Sequence, residues 1–401
     1  MLTNRQLFLI HIGQTSSSPL MVEVERAEGI YMYGPSGEKY IDLVSGVSVS
    51  NTGHRHPRVM DAVKKQVDSY LHLMVYGEMI LCPQVRYAER LVKVLPQNLG
   101  VCYFVNSGSE AVEAALKLAK KSTGRSRIIY FKNSYHGSTH GALSVQGSEK
   151  YKNAFRPLLP DTICIDFNDL QALNSIDNHT ACVIVEPIQA EAGVIYPEAG
   201  FLEEIRNRCS RTGALLIFDE VQTGFGRIGH LFAVNRFGVV PDILVLAKAL
   251  GGGMPLGAFL SSREIMSSFI INPQLGHITT FGGHPVCCAA GLASLEVILD
   301  ENLVTSCAEK SVLIKKELHH PLISEIRGEG LLLAVQLNKP EHVRYVVSHA
   351  PDHGLILDYF LFCDKAFRIA PPLIISNEEI LTACSLLKNL LNETMGITKT
   401  T

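Results

Sequence analysis

No block of lysine or arginine long enough to hold a nucleic-acid backbone occurs in the 401 residues, and 36 basic against 39 acidic side chains leave a net charge of −3. Binding of nucleic acid by counterion release is therefore not expected. Long apolar runs are also missing. The run Leu7-Phe8-Leu9-Ile10 is followed by His11 and a serine-rich turn, too short for a secretory leader. Ile243 to Leu260 is more apolar, but Lys248, three consecutive glycines and Pro255 interrupt it, so it does not suit a membrane span. A soluble protein is expected. The ten cysteines include no C-x-x-C pair and only Cys287 and Cys288 adjoin, which argues against a disulfide framework and against a zinc ribbon. They read as small buried hydrophobes in a reducing cytoplasm. Internal repeats and low-complexity segments are absent.

What remains is an ordinary globular composition, 47% hydrophobic, with enough chain for two or three lobes. From Asn51 to Ala290 short runs rich in Ile, Leu and Val alternate with helical stretches, the pattern of a mostly parallel sheet covered by helices. Val101 to Val105 and Arg127 to Phe131 read as strands around a helix from Ser109 to Lys121. Ala181 to Val185, Ala214 to Phe218 and Ile243 to Leu246 read as further buried strands, each ending at a polar or charged residue. The expected class is α/β, with residues 51–290 as a large lobe. Residues 1–50 carry a hairpin, Ile30 to Leu43, turning at Gly34-Pro35-Ser36-Gly37. Residues 291–401 read as a smaller α+β lobe, with a helical stretch after Cys288, strand candidates from Gly330 to Leu337 and a helix from Asn377 to Leu391.

Three places in the large lobe carry candidate chemistry. Asn106-Ser107-Gly108-Ser109-Glu110-Ala111 joins a strand to a helix, and its small residues would let backbone N–H groups approach a phosphate at the positive helix end. The same residues also make an ordinary helix N-cap. Asp219, with Gln222 three residues on, follows one apolar strand and lies where ligands of α/β proteins gather. Lys248 follows another and precedes Gly251-Gly252-Gly253, where a planar group could approach the backbone. A lone lysine after a strand more often reaches solvent. The coincidence of all three in one sheet matches the needs of pyridoxal phosphate: an N–H cradle, an anion for the pyridine nitrogen and an amine for the aldehyde. Tyr135, in Tyr135-His136-Gly137, offers a ring to stack on the cofactor. The pairs His54 with His56 and His136 with His140 lack the acidic or cysteine partners of a metal site. Glu186, before Pro187, reads equally as a catalytic carboxylate or as one that orders nearby backbone.

These segments resemble the class III aminotransferases of the fold-type I pyridoxal-phosphate enzymes, the ornithine, acetylornithine and 4-aminobutyrate type. The likeness runs in order through Gly34-Pro35-Ser36-Gly37, Gly53-His54-Arg55-His56-Pro57, Ser107-Gly108-Ser109-Glu110-Ala111, Tyr135-His136-Gly137, Glu186-Pro187-Ile188-Gln189, Asp219-Glu220-Val221-Gln222, Lys248-Ala249-Leu250, Thr280-Phe281-Gly282-Gly283 and Arg368-Ile369-Ala370-Pro371-Pro372. It implies a seven-stranded-type sheet in the large lobe. By resemblance, Lys248 carries the cofactor and moves the proton, and Asp219 holds the pyridine nitrogen. Gln222 touches the ring hydroxyl, Gly108 and Ser109 hold the phosphate, and Thr280 reaches the phosphate of a neighbouring subunit in a homodimer. Glu191 and Arg368 match a switch in which the arginine takes a substrate carboxylate in one half-reaction and the glutamate in the other.

One departure concerns the substrate. Many of these enzymes have His-Gly-Arg-Thr, with the arginine gripping a distal carboxylate, whereas this chain has His136-Gly137-Ser138-Thr139. The expected reaction is transamination between glutamate and 2-oxoglutarate on one side and an ω-amino compound on the other. An aminomutase, racemase or decarboxylase would share Lys248 and Asp219 but has less need of Glu191 with Arg368. A nucleotide-dependent oxidoreductase is disfavoured because the triple glycine lacks G-x-G-x-x-G spacing. A non-catalytic protein that binds pyridoxal phosphate is the remaining alternative.

Overall fold

The computed structural model describes residues 2–397; residue 1 and residues 398–401, at the outer ends of the two terminal segments, lie outside the described residues. The N-terminal part holds β1 (Arg26–Glu28), β2 (Tyr31–Tyr33) and β3 (Lys39–Asp42). The middle holds β4 (Val101–Val105), β5 (Arg127–Phe131), β6 (Thr162–Ile165), β7 (Thr180–Val185), β8 (Leu215–Asp219), β9 (Ile243–Leu246) and β10 (Gly257–Ser261). The last part holds β11 (Ile323–Glu329), β12 (Leu332–Leu337), β13 (Leu355–Ile356), β14 (Asp358–Tyr359) and β15 (Ala366–Ile369).

The middle strands form one sheet in the order β4-β10-β9-β8-β7-β5-β6. β10 runs antiparallel to both its neighbours, and the other pairings are parallel. Every residue of β7, β9 and β10 is buried, as expected of strands covered on both faces. β6 and β10 are absent from the sequence reading. β10 opens on Gly257 and Ala258 directly after a Gly/Pro-rich stretch, and four-residue β6 offers too little alternation to be seen.

The helix Gly108–Thr123 covers one face. Ser107 caps it by accepting from Glu110 N, Glu110 sits in its first turn, Lys120 and Lys121 in its last, and Gly124 ends it in the left-handed conformation. Its stripe of Ala111, Ala114, Ala115, Leu118 and Ala119 is buried, and these small side chains let it lie close to the sheet.

Two smaller four-stranded sheets flank this body, β1-β2-β3-β13 and β11-β12-β15-β14. The expected hairpin is present as β2 and β3, and β13 pairs parallel to β3, so segments far apart in the chain share one sheet. β11 was not foreseen, and Gly330 and Leu331 form the turn between β11 and β12 instead of the start of a strand. Buried Arg227 ties three regions together: it donates to the carbonyls of Leu331 and Pro371 and to Asn51 Oδ1. Burial lowers its guanidinium to about 10. Among the described residues no helix is long and apolar enough to cross a membrane.

β10 also presses on the turn after β4. A Cβ at Gly257 would lie 2.2 Å from the Ser107 carbonyl oxygen and 3.0 Å from Val105 Cγ2. Gly257→Ala should therefore lower the unfolding free energy by about 1–3 kcal/mol, read from urea titration. A variant as stable as the parent would contradict the close approach.

Candidate active site

β4, β5, β7, β8 and β9 point the same way, so the residues that end them meet at one edge of the sheet. β10 runs in reverse and brings Met254, Pro255 and Leu256, which precede it, to the same edge. A cleft of about 370 Å³ opens there, lined by Ser107, Gly108, Ser109, Tyr135, His136, Gly137, Glu186, Asp219, Gln222 and Lys248 among others. Six of the sequence candidates, Gly108, Ser109, Tyr135, Asp219, Gln222 and Lys248, are thus gathered around one space. Of the three glycines only Gly253 lines it. Gly252 packs instead on the helix Pro285–Asp300, where a Cβ would lie 2.6 Å from Ala290 O.

Lys248 begins a short 3-10 turn immediately after β9, with φ +51°. This left-handed conformation is costly for a residue with a side chain and is typical of positions held for function. Its amine donates to Gln222 Oε1 at 2.9 Å. Desolvation lowers the ammonium from 10.5 to about 8, opposed by the carboxylates of Glu191, Asp219 and Glu186 and reinforced by Arg368. Gln222 Nε2 is buried without a partner, an amide donor available to a bound molecule.

Asp219 is the last residue of β8, which runs one position past the boundary at Phe218 that the sequence suggested. Its Oδ2 pairs with His136 Nδ1 at 2.7 Å, and Oδ1 accepts from Val221 N at 3.0 Å. His136 is buried, and its role as the partner of Asp219 was missed in sequence; only its place in Tyr135-His136-Gly137 marked it. Glu186 accepts from Tyr135 N at 2.9 Å, so it does order backbone, and it also lines the cleft. Burial first, and the nearby Asp219 second, push its carboxyl well above the usual range.

At the helix end, the Ser107 hydroxyl and the Glu110 carboxylate serve the cap, with Glu110 Oε2 also accepting from Asn106 N at 2.7 Å. The first-turn amides of Gly108 and Ser109 have no acceptor within the helix and border the cleft. Gly137 is required beside them: its φ is +124°, and a Cβ would lie 2.0 Å from Ser109 Oγ. The N-cap and phosphate readings of this segment are therefore compatible, since different residues carry them.

Glu191 and Arg368 lie outside the cleft lining but meet each other, Arg368 Nη2 donating to Glu191 Oε1 at 2.5 Å. Asp358, not singled out in sequence, joins them at 3.3 Å from Arg368 Nη1. Desolvation raises the Asp358 carboxyl above its ordinary value despite Arg368. Thr280 is exposed and away from this chain's cleft, whereas its neighbour Thr279 accepts from Asn106 Nδ2 at 2.8 Å. His54 and His56 have different partners, Asp42 and Glu301 respectively.

An amine of lowered basicity, an anion, an N–H cradle and a spare amide donor around one cleft define a site for pyridoxal phosphate, and the residues present fit that group. The comparisons agree. The family described as Aminotransferase class-III matches residues 12–391. Acetylornithine aminotransferase of Methanopyrus kandleri is 39% identical over 375 residues, covering 92% of this chain and 94% of that protein. Ornithine aminotransferase of Bacillus cereus is 37% identical over 394 residues, covering 95% and 96%. Among solved structures, an ornithine aminotransferase from Toxoplasma gondii with pyridoxal phosphate at partial occupancy superposes with a TM-score of 0.89 at 30% identity, covering 98% of this chain and 94% of that one. The chain belongs to the class III aminotransferase family. It is an aminotransferase with the fold-type I architecture, and pyridoxal phosphate is the cofactor of that family.

The lowered basicity of Lys248 has a sign that can be measured. The folded chain binds fewer protons at this group than the unfolded chain between about pH 8 and 10.5, so its contribution to stability grows across that window. Only the neutral amine attacks an aldehyde, so attachment of pyridoxal phosphate to the apoprotein should slow about tenfold per pH unit below about 8 and level off above it. Stopped-flow absorbance reads this; a rate still climbing towards pH 10.5 would mean an ordinary lysine.

Proposed function

We propose that this enzyme moves an amino group from the terminal carbon of an ω-amino compound, of the acetylornithine, ornithine or 4-aminobutyrate kind, to 2-oxoglutarate, with Lys248 as the group that joins the cofactor. The carrying observation is the Lys248 amine at the end of β9, in one cleft with Asp219 at the end of β8 and the helix N-terminus at Gly108. The names of the relatives support the choice of donors.

In this reading Lys248 Nζ would be the amine that holds the cofactor through its aldehyde, and the same nitrogen, once free, would be the base that moves the substrate's proton. Its lowered basicity suits it to both tasks near neutral pH. When bound, pyridoxal phosphate supplies an electron sink for the pair left by that proton. Asp219, fixed by His136 and Val221, holds the negative charge that keeps the pyridine nitrogen protonated. Gln222 Nε2 would donate to the ring hydroxyl, Tyr135 would offer its ring for stacking, and the amides of Gly108 and Ser109 would hold the phosphate. Glu191 covers Arg368 while an ω-amine reacts and withdraws when an α-carboxylate needs the guanidinium.

The working unit in this proposal is a homodimer. Thr280 and Phe281 are exposed, as are the apolar side chains of Leu71, Ile80 and Ile278, and the stretches Tyr76–Glu78 and Gln274–Ile278 line one groove. A second copy on this face would cover them and bring Thr280 to the partner's phosphate. We also place the enzyme in the cytoplasm, in keeping with ten free cysteines, six of them buried. The large lobe of residues 51–290 would then carry the cofactor, and the segments 1–50 and 291–401 the smaller lobe with Arg368.

The test is a titration of the cofactor-loaded enzyme with glutamate, acetylornithine, ornithine and 4-aminobutyrate, followed in the visible spectrum. Conversion to the amino form of the cofactor by an ω-amine, reversed by 2-oxoglutarate, is expected. Lys248→Ala should keep the fold and lose turnover by roughly 10³-fold or more. Wild-type turnover in Lys248→Ala would contradict the assignment, and a cofactor that no donor converts would favour the aminomutase or non-catalytic alternatives.

A further inference from the structure

Arg368 is held by two carboxylates, not one. Asp358 in β14 and Arg368 in β15 are directly opposed in the antiparallel register, so their side chains share a face of the sheet. Asp358 Oδ2 sits 3.3 Å from Nη1, while Glu191 Oε1 takes Nη2 at 2.5 Å. The residues that follow Asp358 complete the enclosure. The Phe360 ring centroid lies 4.7 Å from the guanidinium carbon, Leu361 N donates to Glu191 Oε2 at 3.2 Å, and Phe362 N donates to the Glu191 carbonyl at 3.0 Å.

The two carboxylates differ in their freedom to leave. Glu191 sits in a loop and reaches Arg368 from another part of the chain, whereas Asp358 is placed beside Arg368 by strand pairing. In a switch with one carboxylate, departure of the glutamate exposes a guanidinium with charge +1. Here it exposes an ion pair of net charge zero. An incoming α-carboxylate meets Asp358 as a like charge close by. An amine whose reacting carbon bears no carboxylate leaves Glu191 in place and avoids that cost.

We propose that Asp358 is a specificity-determining residue: as a second counter-ion fixed on Arg368 it disfavours substrates with a carboxylate beside the reacting carbon and favours simple terminal amines. Ser138, exposed beside Tyr135, supplies no cation for a carboxylate at the far end either. Together the two positions select a donor whose recognition does not depend on carboxylates. This deepens the reading above and rests on Arg368 being the α-carboxylate site.

Asp358→Asn keeps the shape and removes the charge. In the cofactor-loaded enzyme it should lower the KM for 2-oxoglutarate by about three- to tenfold, with a smaller change in kcat. Glutarate, a dicarboxylate that cannot react, should bind tighter by a similar factor in calorimetry. Asp358→Ala should shift both in the same direction, which separates loss of charge from a local effect of the amide. A KM and a glutarate affinity that stay within about twofold of the parent, or that weaken, would overturn the inference and make Asp358 a spectator or an orienting partner. If the parent enzyme itself exchanged amino groups with no oxo acid, the functional reading would fall first, and this inference with it.

Discussion

A parallel strand buried on both faces can carry a polar side chain only where it ends, and that constraint organises this protein. After Thr180 at the start of β7, β7, β8 and β9 are apolar until their last residues or the residue or two beyond, where Glu186, Asp219 and Lys248 stand. Because these strands run together, three ionisable groups arrive at one edge without any of them crossing the core. Each then needs a partner: Glu186 takes Tyr135 N, Asp219 takes His136 and Val221 N, and Lys248 takes Gln222. The partners come from the loops at the same edge, so the cleft is both the only place for these charges in the sheet and the place where they are oriented. The reversed β10 closes the arrangement by setting Ser107 against Gly257 and supplying Met254, Pro255 and Leu256 to the cleft wall.

The charges are not fully compensated, and this is where the chemistry resides. Desolvation outweighs three nearby carboxylates and lowers Lys248 to about 8, so a fraction of its amine is neutral at physiological pH. Gln222 Nε2 and His136 Nε2 are buried donors or acceptors with no protein partner, a cost of burial that a bound molecule can relieve. Outside the cleft, Arg368 is held between Glu191 and Asp358. The cleft thus has unfilled hydrogen-bonding capacity, while the guanidinium is already partnered.

Much of this was legible in the sequence. Lys248 and Asp219 stand out because each ends a run of apolar residues, and Gly108 and Ser109 because small residues follow a strand and start a helix. The Glu191–Arg368 pair was visible only through resemblance, since 177 residues separate the two. What escaped depends on register and on small strands. β10 was hidden by its glycine-rich approach, and with it the reason Gly257 must lack a side chain. The His136–Asp219 pair depends on the strand order β8-β7-β5, which no local pattern reveals. Asp358 lies in a strand of two residues and matters only because that strand faces Arg368.

Lys248, and no other lysine, is proposed as the covalent partner of the cofactor. Borohydride reduction of the enzyme loaded with pyridoxal phosphate, followed by digestion and mass spectrometry, tests it most directly. One phosphopyridoxyl group per chain is expected, on the peptide containing Lys248-Ala249-Leu250. A phosphopyridoxyl group found at another lysine, or no stable attachment at all, would contradict it.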